Sequence, residues 1–112
     1  MQYQGLFALS LLASNLAWAG SVEELADKVQ PQVVEWRHHF HQHPELSNRE
    51  FQTAAYVAKY LKGLGLEVQT GVAKTGVVAV LDSGKPGPVV ALRADMDPLP
   101  VKEVSNLPYR SQ

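Results

Sequence analysis

Val22, Leu25, Ala26 and Val29 recur three and four residues apart, the spacing of one helical face. Ser21 stands just before them with Glu24 three residues on, the capping-box arrangement that opens a helix. Pro31 interrupts the stripe, and it either kinks the helix or opens a second one at its first turn, where a missing N–H is tolerated. Val33, Trp36, Arg37 and Phe40 carry the stripe on until Pro44, which disfavours helix at His43. Ser47-Asn48-Arg49-Glu50 repeats the capping-box pattern, and Phe51, Ala54, Ala55, Ala58 and Leu61 mark the apolar face of a further helix. Lys59 and Lys62 suit the negative end of its dipole, and Gly63 and Gly65 offer left-handed stops.

Beyond Gly65 the period shortens from helical to extended. Leu66-Glu67-Val68-Gln69-Thr70 alternates as a half-buried strand does. Val77-Val78-Ala79-Val80-Leu81 is a continuous apolar run, which predicts a strand covered on both faces. Asp82-Ser83-Gly84-Lys85-Pro86-Gly87-Pro88 is dense in turn formers, and Val89-Val90-Ala91-Leu92 follows as a third strand. So short a connection predicts an antiparallel hairpin between the last two strands. The expected class is α/β: two N-terminal helical segments, then three strands including a hairpin. The helices cover one sheet face, yet the last two strands are apolar on both. That mismatch predicts the front part of a larger α/β domain.

A length of 112 residues bounds the chain to one small domain. The net charge of −1, with no basic stripe, speaks against nucleic acid or an anionic membrane as partner. With no cysteine, disulfides and thiolate metal sites are excluded within these residues. The N-terminus reads differently from the rest. Leu6 to Trp18 is apolar, and Ala17-Trp18-Ala19 has the small-x-small form of a signal peptidase site. Residues 1–19 are therefore expected to be a signal peptide and residues 20–112 the exported part. That part is expected to be secreted or periplasmic, with no membrane attachment after cleavage.

Two groups of side chains could carry chemistry. Asp95 and Asp97 lie where the third strand gives out, the edge at which ligands collect in open α/β sheets. Two residues apart on a strand they share a face with β-carbons about 7 Å apart, which suits binding a metal or holding a metal ligand. They could equally be structural, Asp95 pairing with Arg93 and Asp97 starting a turn before Pro98. The second group is His38, His39, His41 and His43. The pairs His39/His43 and His38/His41 have the i, i+4 and i, i+3 spacings that place ligands on one helical face. The other reading is an imidazole-rich helix end favoured by the dipole.

The segments Trp36-Arg37-His38-His39-Phe40-His41-Gln42-His43-Pro44-Glu45-Leu46-Ser47, Thr75-Gly76-Val77-Val78-Ala79 and Ala91-Leu92-Arg93-Ala94-Asp95-Met96-Asp97-Pro98-Leu99-Pro100 resemble the amidohydrolase branch of the dinuclear metal aminoacylase/carboxypeptidase superfamily. That branch includes hippurate hydrolases, N-acyl-amino-acid amidohydrolases and hydrolases of indole-acetyl amino acids. The resemblance implies a partial three-layer metallohydrolase domain, with residues 20–112 its incomplete N-terminal part. It also implies two divalent metal ions (zinc, manganese or similar) in the complete enzyme. The substrate would be a small-molecule N-acyl amino acid and the assembly a homo-oligomer. Asp97 is the catalytic-site residue the resemblance carries over, orienting a metal-bound histidine. Asp95 stands where sister branches place a histidine ligand and is a possible ligand itself. The main ligands, a Cys-Gly-His-Asp block, a Glu-Glu pair and further histidines, are expected beyond Gln112, so residues 20–112 alone are expected to be inactive. Pro98 departs from the small residue usual after the second Asp and restricts Asp97 to extended backbone. Two other outcomes fit the same residues: a metallopeptidase of the superfamily, or a non-catalytic binding or regulatory short product.

Overall fold

The computed structural model describes residues 20–112. The expected signal peptide, residues 1–19, lies outside the described residues. The elements run α1 (Val22–Gln42), α2 (Phe51–Gly63), β1 (Glu67–Val72) and β2 (Gly76–Val80). Two units divide the chain at residue 31.

In the first unit the Ser21–Glu24 capping box forms in full. The Ser21 N–H donates to Glu24 Oε2 at 2.8 Å, and the Glu24 N–H donates to Ser21 Oγ at 3.1 Å. These satisfy two N–H groups that a helix start leaves without partners. Pro31 does not begin a new helix; it sits inside α1.

The second unit carries the packing. The Val33–Phe40 stripe meets α2 through rings: Trp36 and Tyr60 meet edge-on at 4.7 Å, and Phe40 and Tyr56 at 5.3 Å. Such a pair adds about 0.5–1.5 kcal/mol beyond its buried area. Helix α2 in turn packs on the hairpin with Ala58, the one buried apolar side chain among the described residues. Phe51, expected on that face, is largely exposed.

The second capping box does not form. Asn48 adopts a left-handed φ of 64°, and α2 begins only after Glu50, whose side chain makes no cap hydrogen bond. Glu45 replaces it from outside the turn. Its Oε1 accepts from the Gln52 N–H at 3.1 Å and its Oε2 from the Thr53 N–H at 2.7 Å. The end of α2 matches expectation. Gly65 takes φ 81°, its N–H donates to the Lys62 carbonyl, and the Leu66 N–H reaches back to the Leu61 carbonyl. This is a Schellman closure, which a glycine permits because it has no β-carbon.

Strands β1 and β2 pair antiparallel, with Glu67 opposite Val80 and Val68 opposite Ala79. The register slips between Thr70 and Val72, where Gly71 supplies φ 74°. Residues 73–75 turn the chain.

Two expectations need correction. The hairpin joins β1 to β2, and among the described residues no third strand forms over Val89–Leu92. Val89 is 98% and Leu92 96% exposed. A strand exists only through a neighbour's backbone, and no described segment lies alongside to pair with it. Nor is β2 covered on both faces: Val77 and Ala79 turn inward while Val78 and Val80 stay exposed. The α/β class itself holds.

Candidate functional site

Asp95 and Asp97 lie on the irregular segment after β2, and both are exposed. Asp95 pairs with Arg93. Its Oδ1 accepts from Arg93 Nη2 at 2.9 Å and Arg93 Nε at 3.0 Å. With the two side chains 68% and 87% exposed, solvent screens the pair, so it is worth at most about 1 kcal/mol. Asp97 enters no ion pair among the described residues. No group of three or more His, Cys, Asp or Glu side chains among the described residues is placed to hold a metal ion. The described residues do not by themselves build a dinuclear centre.

The four histidines are sorted into two pairs. His38 and His41 face the C-terminal segment. The His38 ring stacks on Tyr109 at 3.7 Å, and Arg37 Nη2 donates to His38 Nε2 at 3.2 Å, which makes that nitrogen the acceptor. His41 Nε2 bonds Glu103 Oε2 at 2.8 Å. The same carboxylate accepts the Ser111 N–H at 2.7 Å and the Ser105 hydroxyl. Ser111 Oγ donates to the His41 carbonyl at 2.7 Å, and the Gln112 N–H donates to the Gln42 carbonyl at 3.1 Å. These last bonds satisfy carbonyls that the end of α1 leaves open. Residues 103–112 are thus fastened to the last turn of α1.

The Ser105 hydroxyl, then the Ser111 N–H, act against partial burial and, with His41, bring the Glu103 carboxyl down from 4.5 to about 2. The folded value lies below the unfolded one. The contribution of Glu103 is therefore complete above pH 4.5 and lost as pH falls through the folded value of about 2. Hydrogen exchange at the Ser111 amide should report this, with protection intact at neutral pH and lost toward the acid end of that window. Protection that ignores pH across the window would remove the carboxylate from the fastening.

His39 and His43 turn the other way, toward α2. Their ring centroids stand 5.1 Å apart, and His39 stacks on Tyr56 at 4.6 Å. The His43 N–H donates to the His39 carbonyl at 3.1 Å and closes the last turn, and α1 ends at Gln42, as Pro44 predicts.

Three carboxylates have roles that the sequence does not show. Partial burial raises the pKa of Glu45, but the N–H groups of Thr53 and Gln52 outweigh it and hold the carboxyl below its ordinary value. Glu50 is 6% exposed, accepts the Thr75 hydroxyl at 2.7 Å and the Asn48 N–H at 3.0 Å, and ties the start of α2 to the hairpin tip. The Thr75 bond is the first cause of its lowered pKa. The third is Glu103. The one sequence signal was Pro44-Glu45 ahead of a helix start, where an acid suits the dipole. Glu50 and Glu103 answer to partners 25 and 62 residues away.

No family model matches the chain. Curated proteins and a solved structure do. Over 91 residues it is 45% identical to the hippurate hydrolase of Campylobacter jejuni, across 81% of this chain and 24% of that enzyme. Over 86 residues it is 43% identical to thermostable carboxypeptidase 2 of Saccharolobus solfataricus, across 76% of this chain and 22% of the relative. A crystal structure described as an aminohydrolase from methicillin-resistant Staphylococcus aureus superposes with a TM-score of 0.74 at 44% identity, covering 80% of this chain and 24% of that one. The chain spans about a quarter of the length of these relatives. The fold and the matched residues define a stretch of a hydrolytic enzyme family. More narrowly, the chain is homologous to the amidohydrolases of the aminoacylase/carboxypeptidase superfamily.

Proposed function

We propose that this chain is the N-terminal part of an exported metal-dependent amidohydrolase that cleaves the amide bond of N-acyl amino acids. The observation that carries the reading is the identity of about 45% to hydrolases over most of the chain, with the fold of an aminohydrolase. The Asp95-Met96-Asp97 block falls within the residues the resemblance rests on. In this reading Asp97 orients a ligand of a centre of two divalent metals, and the remaining ligands come from residues other than 20–112. Residues 20–112 alone are inactive, and the complete enzyme is a homo-oligomer.

The relatives divide on substrate, since one is named a hippurate hydrolase and another a carboxypeptidase. The peptidase is therefore the second reading. One experiment addresses substrate and export together. The polypeptide encoded by the whole reading frame is expressed in a host with a secretory pathway, assayed on hippurate-type N-acyl amino acids against dipeptides, and weighed by mass spectrometry. Preferred hydrolysis of the N-acyl amino acids, by exported protein beginning at Gly20, is the expected result. Preference for dipeptides would replace the amidohydrolase with the peptidase. Met1 retained in a cytoplasmic pool would overturn export, and hydrolysis of neither substrate would leave the non-catalytic product.

A further inference from the structure

The rings of His39 and His43 make no hydrogen bond among the described residues. His38 and His41 are committed to Tyr109 and Glu103, but the other pair faces a cavity of about 340 Å³ between the end of α1 and α2. Gln52, Thr53, Tyr56 and Lys59 line the same cavity. Neither His39 nor His43 enters an ion pair among the described residues.

The ring geometry fits a shared cation. Metal–imidazole bonds run about 2.0–2.1 Å, so two rings meeting one ion at a right or tetrahedral angle have centroids roughly 4.6–5.3 Å apart. The centroids of His39 and His43 stand 5.1 Å apart with their planes tilted by 56°. Two features hold the pair in place. The His43 N–H bond to the His39 carbonyl ties His43 to the last turn of α1, and the Tyr56 ring packs against His39 by stacking. Gln52, whose side chain carries an amide oxygen, is part of the cavity wall. Lys59 brings one positive charge, which opposes a cation. Glu45 brings a negative charge, because its carboxylate is bonded to the N–H groups of Gln52 and Thr53, two residues that line the cavity.

We propose that His39 and His43 form a two-imidazole site for a borderline divalent cation, Cu²⁺ before Ni²⁺, with the Gln52 amide oxygen and water completing the shell. Two nitrogens with oxygen donors make the tetragonal set that Cu²⁺ and Ni²⁺ accept, and Cu²⁺ heads the affinity order for such donors. Zinc is disfavoured because its sites draw on three or four protein ligands. The site is separate from the dinuclear centre of the proposed hydrolase and stands or falls without it.

The test is a titration of the full 112-residue chain with copper sulfate at neutral pH, followed by calorimetry and electron paramagnetic resonance. One equivalent should bind with a two-nitrogen signature, and nickel should bind more weakly at the same place. His39→Gln and His43→Gln should each weaken copper by at least about 10-fold, since even a group that only supports a ligand is worth that much. His38→Gln and His41→Gln should leave the affinity unchanged. Circular dichroism checks that the variants fold. In the unaltered chain, paramagnetic broadening should reach the ring protons of His39 and His43 first. Absence of saturable binding, a one-nitrogen signature, equal losses in all four variants, or broadening centred elsewhere would each overturn the site.

Discussion

Asp97→Asn should lower kcat of the complete hydrolase by about 10- to 100-fold, or its metal content by a similar factor. A carboxylate that accepts an imidazole N–H fixes the tautomer of that ring and raises its basicity toward a metal. Asparagine keeps the shape but loses the charge, so the ring is still met and no longer polarised. Asp95→Asn is the matched comparison. Its carboxylate is engaged with Arg93 at the surface, and such a pair is worth at most about 1 kcal/mol, so its loss should move stability little. Steady-state kinetics on an N-acyl amino acid, with metal counted by mass spectrometry, separates the two. Full rate and full metal content in Asp97→Asn would take that residue out of the site. Equal losses in both variants would mean that the Asp95-Met96-Asp97 block acts as a unit.

Gly76→Ala should be the most damaging small substitution in the hairpin. A β-carbon at Gly76 would lie 2.5 Å from the Val72 carbonyl oxygen and 3.4 Å from the Val72 carbonyl and β-carbons. Val72 is its partner across the ladder, beside the slip in register. The obstacle is backbone, so it moves only if the ladder opens. Forced overpacking of this kind costs about 1–3 kcal/mol. A domain of this size loses about 4–8 °C of Tm for each kcal/mol. Gly63→Ala is the control, since nothing lies within 4 Å of the added carbon at the end of α2. There the change should be neutral or stabilising by about 0.4–1 kcal/mol, because it restricts the unfolded chain. A Tm unchanged in Gly76→Ala would show that the hairpin relaxes around the clash.

Features that depend on near neighbours in the chain were legible in the sequence. The Ser21–Glu24 box, the stripe through Trp36 and Phe40, the stop at Gly65 and the alternation of β1 all rest on interactions within a few residues. The Ser47–Glu50 box shows where such reading misleads. It has the right residues, but Asn48 turns left-handed and Glu45, on the far side of the turn, caps the helix instead. Val89–Leu92 has the composition of a strand, and composition alone cannot supply the second backbone that a ladder requires. The histidines show the same limit. Spacing offered His38 with His41 and His39 with His43 on equal terms. Only the fold separates them, because Glu103 and Tyr109 come from the far end of the chain to engage the first pair. The Asp95–Arg93 contact is local and was open in the sequence as one of two alternatives.

The segment after β2 has a practical consequence. Val89, Val90, Leu92, Leu99, Val101 and Val104 all lie open to water on backbone that no ladder has claimed. Such a ribbon offers neighbouring molecules both a greasy surface and free amide groups, the combination that seeds edge-to-edge stacking. Concentrated solutions of this polypeptide should therefore precipitate long before the helices unfold.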